Sequence, residues 1–193
     1  MTERARRTSG ANTRTQKMIL TALFAALTAV GAWISIPLPF TPVPVTLATL
    51  MTTLAGGLLG YKHSTLSMIV YLLVGAVGAP VFHNFTGGLG ILTGPTGGYL
   101  VGYITSALIC GLLITVFCRS RLTWWGVAIA AVIGLATCYA LGTIWFMASS
   151  GTSLAASMVT CVIPFLPGDV LKTILAVVLI MKLRPRVYGV MAG

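Results

Sequence analysis

The sequence predicts an all-α integral membrane protein, with six transmembrane helices in three hairpins and both termini in the cytosol. Three observations carry that prediction. First, 57% of the 193 residues are hydrophobic and 7% are charged, with a mean hydropathy of +0.99, whereas a soluble domain carries about 25% charged residues. Second, the cations fall in clusters: Arg4, Arg6, Arg7, Arg14 and Lys17, then Lys62, then Arg119 and Arg121, then Lys182, Arg184 and Arg186. Third, the apolar stretches between the clusters, 18–61, 63–118 and 122–181, each hold about two spans of roughly 20 residues and a turn. Lys and Arg beside span ends stay cytoplasmic. A basic cluster after every second span therefore gives an inside–inside, multi-pass protein of the plasma membrane. The net charge of +10 is confined to those ends rather than spread over one face, which excludes a nucleic-acid surface.

In chain order, residues 1–16 are polar and basic without apolar periodicity, and are expected as a disordered cytosolic tail held near anionic lipid. The tail resembles the n-region of a signal peptide, but the bundle needs the following helix as a packing partner, so the segment is expected to be retained. The membrane domain then covers 17–184, followed by a second cytosolic tail, 185–193. The first span runs from Lys17 to Ile36, and Pro37, Pro39, Pro42 and Pro44 force an extended outer loop. The second span, Val45 to Leu59, is short for a full crossing, which leaves the proline loop partly inside the protein. A third span from Ser64 to Val81 leads into a glycine-rich outer loop from His83 to Pro95. The fourth and fifth run from Thr96 to Cys118 and from Trp124 to Ala148, with Trp124 and Trp125 as interfacial anchors beside Arg121. The last begins near Leu154, is interrupted at Pro164 and Pro167, and resumes through Lys182.

One cation breaks the pattern of span ends. Lys172 lies ten residues before Lys182, a rise of roughly 15 Å, which is about half the hydrocarbon thickness. Three residues before it stands Asp169, the only acid after Glu3, on the same helix face. Each such residue costs about 2.5 to 3.5 kcal/mol at mid-membrane on insertion scales. The pair must therefore face protein or water. Pro167 and Gly168 place Asp169 in the first helical turn, where free N–H groups favour a carboxylate. A salt bridge that merely locks helices together is the alternative. Asn84, in the glycine-rich loop, adds a donor and an acceptor. With Asp169 accepting and Lys172 donating, the three suit a small planar group carrying both N–H and C=O, walled by Phe40, Phe85 and Tyr99. Ala22 and Ala26, beside Ala25 and Ala29, form small-residue ridges on which another helix could pack closely.

Enzymatic readings fare poorly. The four cysteines, Cys110, Cys118, Cys138 and Cys161, lack paired spacing, and His63 and His83 are expected at opposite membrane faces, so neither a metal site nor a bound cofactor is expected. There is no nucleophile elbow, no zinc-protease helix and no P-loop. No catalytic residue is assigned.

Three segments resemble the BioY family, the biotin-binding S-components of energy-coupling factor (ECF) transporters. They are Pro42-Val-Pro-Val-Thr-Leu47, Gly87-Gly-Leu-Gly-Ile-Leu-Thr-Gly-Pro-Thr-Gly-Gly-Tyr99 and Pro164-Phe-Leu-Pro-Gly-Asp-Val-Leu-Lys172, in the family's order. The resemblance implies an S-component-like six-helix bundle that takes biotin from outside, and whose pocket residues map onto Asn84, Asp169 and Lys172. It further implies docking through the alanine ridge of the first helix, Ala22 and Ala26, onto a transmembrane coupling subunit driven by two ATPase subunits, so that ATP hydrolysis belongs to the partners. Some relatives place a second cation in the loop entering the fourth helix, where this chain has Gly97 and Gly98. Two rival classes stand beside this reading: an ion-coupled secondary transporter using Asp169, and a ligand-free membrane assembly protein.

Overall fold

The computed structural model describes residues 3–37, 39, 41, 43–118 and 121–192, and the side chains between 14 and 187 within that range. Helix α1 spans Glu3–Trp33. The segment expected as a disordered tail is thus continuous with the first span, since no proline interrupts it and Ala and Arg favour helix. Strand β1 (Ser35–Ile36) pairs antiparallel with β2 (Val45–Thr46), so the proline loop is a hairpin tip and not a simple extended link. Phe40 lies outside the described residues.

Helix α2 (Ala48–Ala76) is interrupted at Gly60, whose φ of 71° and ψ of 170° are open to glycine and strained for residues bearing a Cβ. Lys62 and His63 follow directly, where the basic cluster predicts a cytosolic turn. The segment after α2 contains a 3-10 turn at His83–Phe85 and the short helix α3 (Leu89–Thr93). Helices α4 (Gly97–Phe117) and α5 (Trp124–Ser150) follow, and the Thr123 hydroxyl caps α5 by accepting from the Gly126 N–H. The final stretch comprises α6 (Leu154–Cys161), a 3-10 turn at Ile163–Phe165 containing Pro164, and α7 (Leu166–Ala192). Helix α7 continues past the expected start of a tail, with Pro185 inside it.

Among the described residues, four stretches are long and apolar enough to cross a membrane: Arg14–Trp33, Gly97–Phe117, Trp124–Ser150 and Leu154–Val187. Their outward faces carry apolar side chains such as Val116, Trp125 and Leu171, a surface suited to lipid rather than water.

Helix α4 is the central post, packed extensively against both α2 and α5. Glycines permit the close approach. A Cβ on Gly134 would lie 2.9 Å from the Ser106 carbonyl oxygen and from Cys110 Cβ, so α5 meets α4 almost backbone to backbone. At the outer ends, the indoles of Trp33 and Trp145 donate to the Pro80 and Gly94 carbonyls at 2.8 and 3.0 Å, tying the outer loops to α1 and α5. Near the opposite end, Arg184 is buried and donates to the Gly57 carbonyl at 2.6 Å.

Candidate functional site

Asp169 occupies the first turn of α7 and is 4% exposed. Lys172, one turn later, donates to Asp169 Oδ1 at 2.5 Å. The same ammonium donates to the Thr46 carbonyl at 2.8 Å and to Thr49 Oγ1 at 3.3 Å. Thr49 in turn donates to Asp169 Oδ1 at 3.4 Å, and the Tyr139 hydroxyl of α5 donates to Oδ2. The carboxylate therefore holds three donors from α2, α5 and α7, and the ammonium three acceptors. That satisfies the desolvation demand of a buried ion pair, which would otherwise be unfavourable.

The pair does not end in a sealed helix contact. It lines a narrow cleft together with Val43, Pro44, Thr46, Tyr99, Tyr103 and Tyr139. Val43 and Pro44, just before β2, and Val45 and Thr46 within it line this cleft, and Val43 is buried. Tyr99, in the first turn of α4, is positioned twice: its hydroxyl donates to the Cys161 carbonyl at 3.1 Å, and its ring fills the space left by Gly142, where a Cβ would fall 2.3 Å from Cε1. A second, smaller cavity adjoins the first, sharing Val43, Pro44, Thr46, Tyr99 and Tyr103 with it. A further void of about 520 Å³ between α5 and α7 also reaches Asp169, but its walls are otherwise apolar apart from Thr173 and include the exposed Trp125, Val170 and Ile174. It offers little for a polar molecule to recognise.

Of the residues singled out from the sequence, Asp169, Lys172 and Tyr99 come together on the cleft. Asn84 and Phe85 do not line it. Asn84 adopts a positive φ of 53° on the exposed outer loop, and its Oδ1 accepts from Ser35 Oγ at 3.0 Å. Phe85 stacks on Trp33 with ring centroids 5.0 Å apart. On α1, Ala22 and Ala26 are exposed while Ala25 and Ala29 are buried, so one alanine ridge packs inward and the other faces out. Thr49, Tyr103 and Tyr139 went unrecognised in the sequence. Each is a hydroxyl within an apolar helix, and the buried acid's need for donors was the available signal.

Comparison with known proteins settles the lineage. The model of the BioY family matches residues 2–189. The chain belongs to the BioY family. Among its BioY relatives is the biotin transporter BioY of Thermotoga maritima, 38% identical over 169 residues that cover 88% of this chain and 96% of that protein. The probable biotin transporter BioY of Pyrococcus horikoshii is 35% identical over 89% of this chain and 98% of its own length. The fold is also similar to a crystal structure of the S-component for biotin from an ECF-type ABC transporter, with a TM-score of 0.83, 28% identity, and coverage of 96% of this chain and 95% of that one. The helical membrane architecture of this BioY chain is thus that of an S-component.

Proposed function

We propose that this protein is the biotin-binding S-component of an ATP-driven ECF uptake transporter in the plasma membrane. One observation carries the site assignment: a membrane-embedded acid and base meet on a cleft instead of being buried against a neighbouring helix. Biotin's ureido ring has two N–H donors and one C=O acceptor. An ionised carboxylate offers about four lone-pair sites, and Asp169 has three donors on it, so it can take a ureido N–H. Lys172 would donate to the ureido oxygen or to the valerate carboxylate. Asn84 would join them through inward movement of the His83–Phe85 turn. The break at Gly60 divides α2 into two rods, which with α1, α4, α5 and the α6–α7 stretch supports six spans, both termini being cytosolic as the basic clusters predict.

In this reading the chain does no chemistry of its own. A transmembrane coupling subunit and two ATPase subunits supply the energy, and the outward ridge of Ala22 and Ala26 is the surface on which the coupling subunit's helix packs. Titration calorimetry with purified protein tests the site. Removing one member of a buried pair costs about 3 to 5 kcal/mol, so Asp169→Asn is expected to weaken biotin binding by at least a hundredfold. Unchanged affinity would reject the assignment.

A further inference from the structure

Helices α5 and α7 leave an open groove between them on the outer surface of the bundle. Ala128, Val132 and Leu135 on α5 and Val170, Ile174 and Val178 on α7 recur at helical spacing and enclose about 520 Å³. Val132, Val170 and Ile174 are exposed there. Asp169 also lines the groove, but it is 4% exposed and already holds three donors. The groove therefore invites hydrocarbon. Leu135 and Asp169 line the acid–base cleft as well, so groove and cleft share a wall.

Length and width decide what fits. The groove begins at Trp124 and Trp125, at the start of α5, and reaches Leu135. Those eleven residues of helix rise roughly 16 Å, about half the hydrocarbon thickness, which is one leaflet. A helix of a partner is about 10 to 12 Å across, and over that length it would occupy on the order of 1200 Å³, more than the groove contains. A hydrocarbon chain, whose width is set by carbon contacts at about 4 Å, would occupy on the order of a few hundred Å³. The groove thus suits one lipid chain.

Charge at the mouth selects the headgroup. Exposed Arg121 lies three residues before Trp124, and paired indoles beside a cation mark headgroup level. The sequence supplies two acids, Glu3 and Asp169, and Asp169 is at the far end of the groove on Lys172. Charge complementarity at Arg121 therefore favours an anion from the membrane. We infer that the α5–α7 groove binds one acyl chain of an anionic phospholipid, with its phosphate at Arg121 and its chain end against Leu135. The chain closes the lipid side of the wall shared with the cleft, keeping water and headgroups from Asp169 on that side. This requires the membrane embedding of α5 and α7 but not the biotin reading.

Native mass spectrometry of the delipidated full-length protein, titrated with phosphatidylglycerol or phosphatidylcholine, tests the site. Wild type is expected to retain one phosphatidylglycerol, preferred over phosphatidylcholine by about fivefold, the worth of one cation near anionic lipid. Arg121→Gln is expected to remove most of that preference. Val132→Trp combined with Ile174→Trp narrows the groove and is expected to cut lipid retention by at least about tenfold. Leu112→Trp combined with Val116→Trp, on the exposed face of α4, is expected to leave retention unchanged. Full retention in the groove variant, or an equal loss in the α4 variant, would overturn the site, and an unchanged preference in Arg121→Gln would overturn the headgroup assignment. A wild-type dimer that the groove variant dissociates would give the groove to a second copy and overturn it too. Arg121 lies outside the spans, so its variant keeps the test decisive should the groove variant fail to fold. Biotin titrated in parallel separates the two readings: its failure to bind would sink the proposed function and leave the lipid site standing.

Discussion

Lys172 is partly buried and Arg184 buried in this bundle, and their surroundings differ in kind. Lys172 stands beside an acid on a cleft, its ammonium also bonded to Thr49 and to the free carbonyl of Thr46 at a hairpin edge. Arg184 reaches from near the end of α7 to the Gly57 carbonyl, at a point where glycine brings α2 against α7. None of the cavities described above includes Arg184. Both are costly to bury, so burial alone does not mark function. What separates them is open space: Lys172 lines the cleft beside Asp169, whereas Arg184 meets the Gly57 carbonyl at a helix junction.

Exchanging the two charges for amides is the strongest way to break this contrast. Lys172→Gln leaves Asp169 buried with neutral donors only, a loss of about 3 to 5 kcal/mol, and biotin affinity should fall at least a hundredfold by calorimetry. Arg184→Gln removes a charged hydrogen bond worth about 1.5 to 3 kcal/mol, which should appear as a lower Tm with a Kd within about twofold of wild type. Equal losses of affinity in the two variants would erase the distinction.

Two glycines sharpen it further. A Cβ at Gly142 would fall 2.3 Å from Tyr99 Cε1, and a Cβ at Gly57 would fall 2.3 Å from Ile180 Cδ1. Overpacking of this kind costs about 1 to 3 kcal/mol, and the position of the displaced group decides where the cost is felt. Gly142→Ala pushes a ring that lines the cleft, so Kd should rise about tenfold. Gly57→Ala pushes the flexible end of a core side chain, so Tm should fall by about a few degrees with Kd unchanged.

The legible part of this molecule was the part written in charge. The misfit of Lys172 with Asp169 three residues earlier pointed to the cleft that the structure contains. Helix limits were less legible. Arginine-rich polar sequence without apolar periodicity resembles a tail, yet nothing in it breaks a helix, and α1 starts at Glu3. The β1–β2 pairing was hidden because each strand is two residues long and offers no alternation to read. The donors on Asp169 were hidden for a different reason. Tyr139 and Thr49 lie 30 and 120 residues away from it, and only packing selects which hydroxyl of an apolar helix meets the acid. Asn84 lies off the cleft, its side chain bonded to Ser35 from a left-handed backbone position.

Tyr139 provides the finest test of how the ligand side is built. Its hydroxyl donates to Asp169 Oδ2, while Thr49 and Lys172 both engage Oδ1. A ureido N–H arriving at Oδ2 can join the tyrosine, because that oxygen has a second lone pair. Tyr139→Phe then removes a hydrogen bond from the empty and the loaded protein alike, and most of the loss cancels in binding. The expected result is a clear drop in ligand-free Tm, reflecting a charged hydrogen bond of about 1.5 to 3 kcal/mol, with a rise in Kd of no more than about tenfold. A loss of affinity as deep as that of Asp169→Asn would instead make the tyrosine a ligand contact in its own right, and a gain would mean that biotin must displace it.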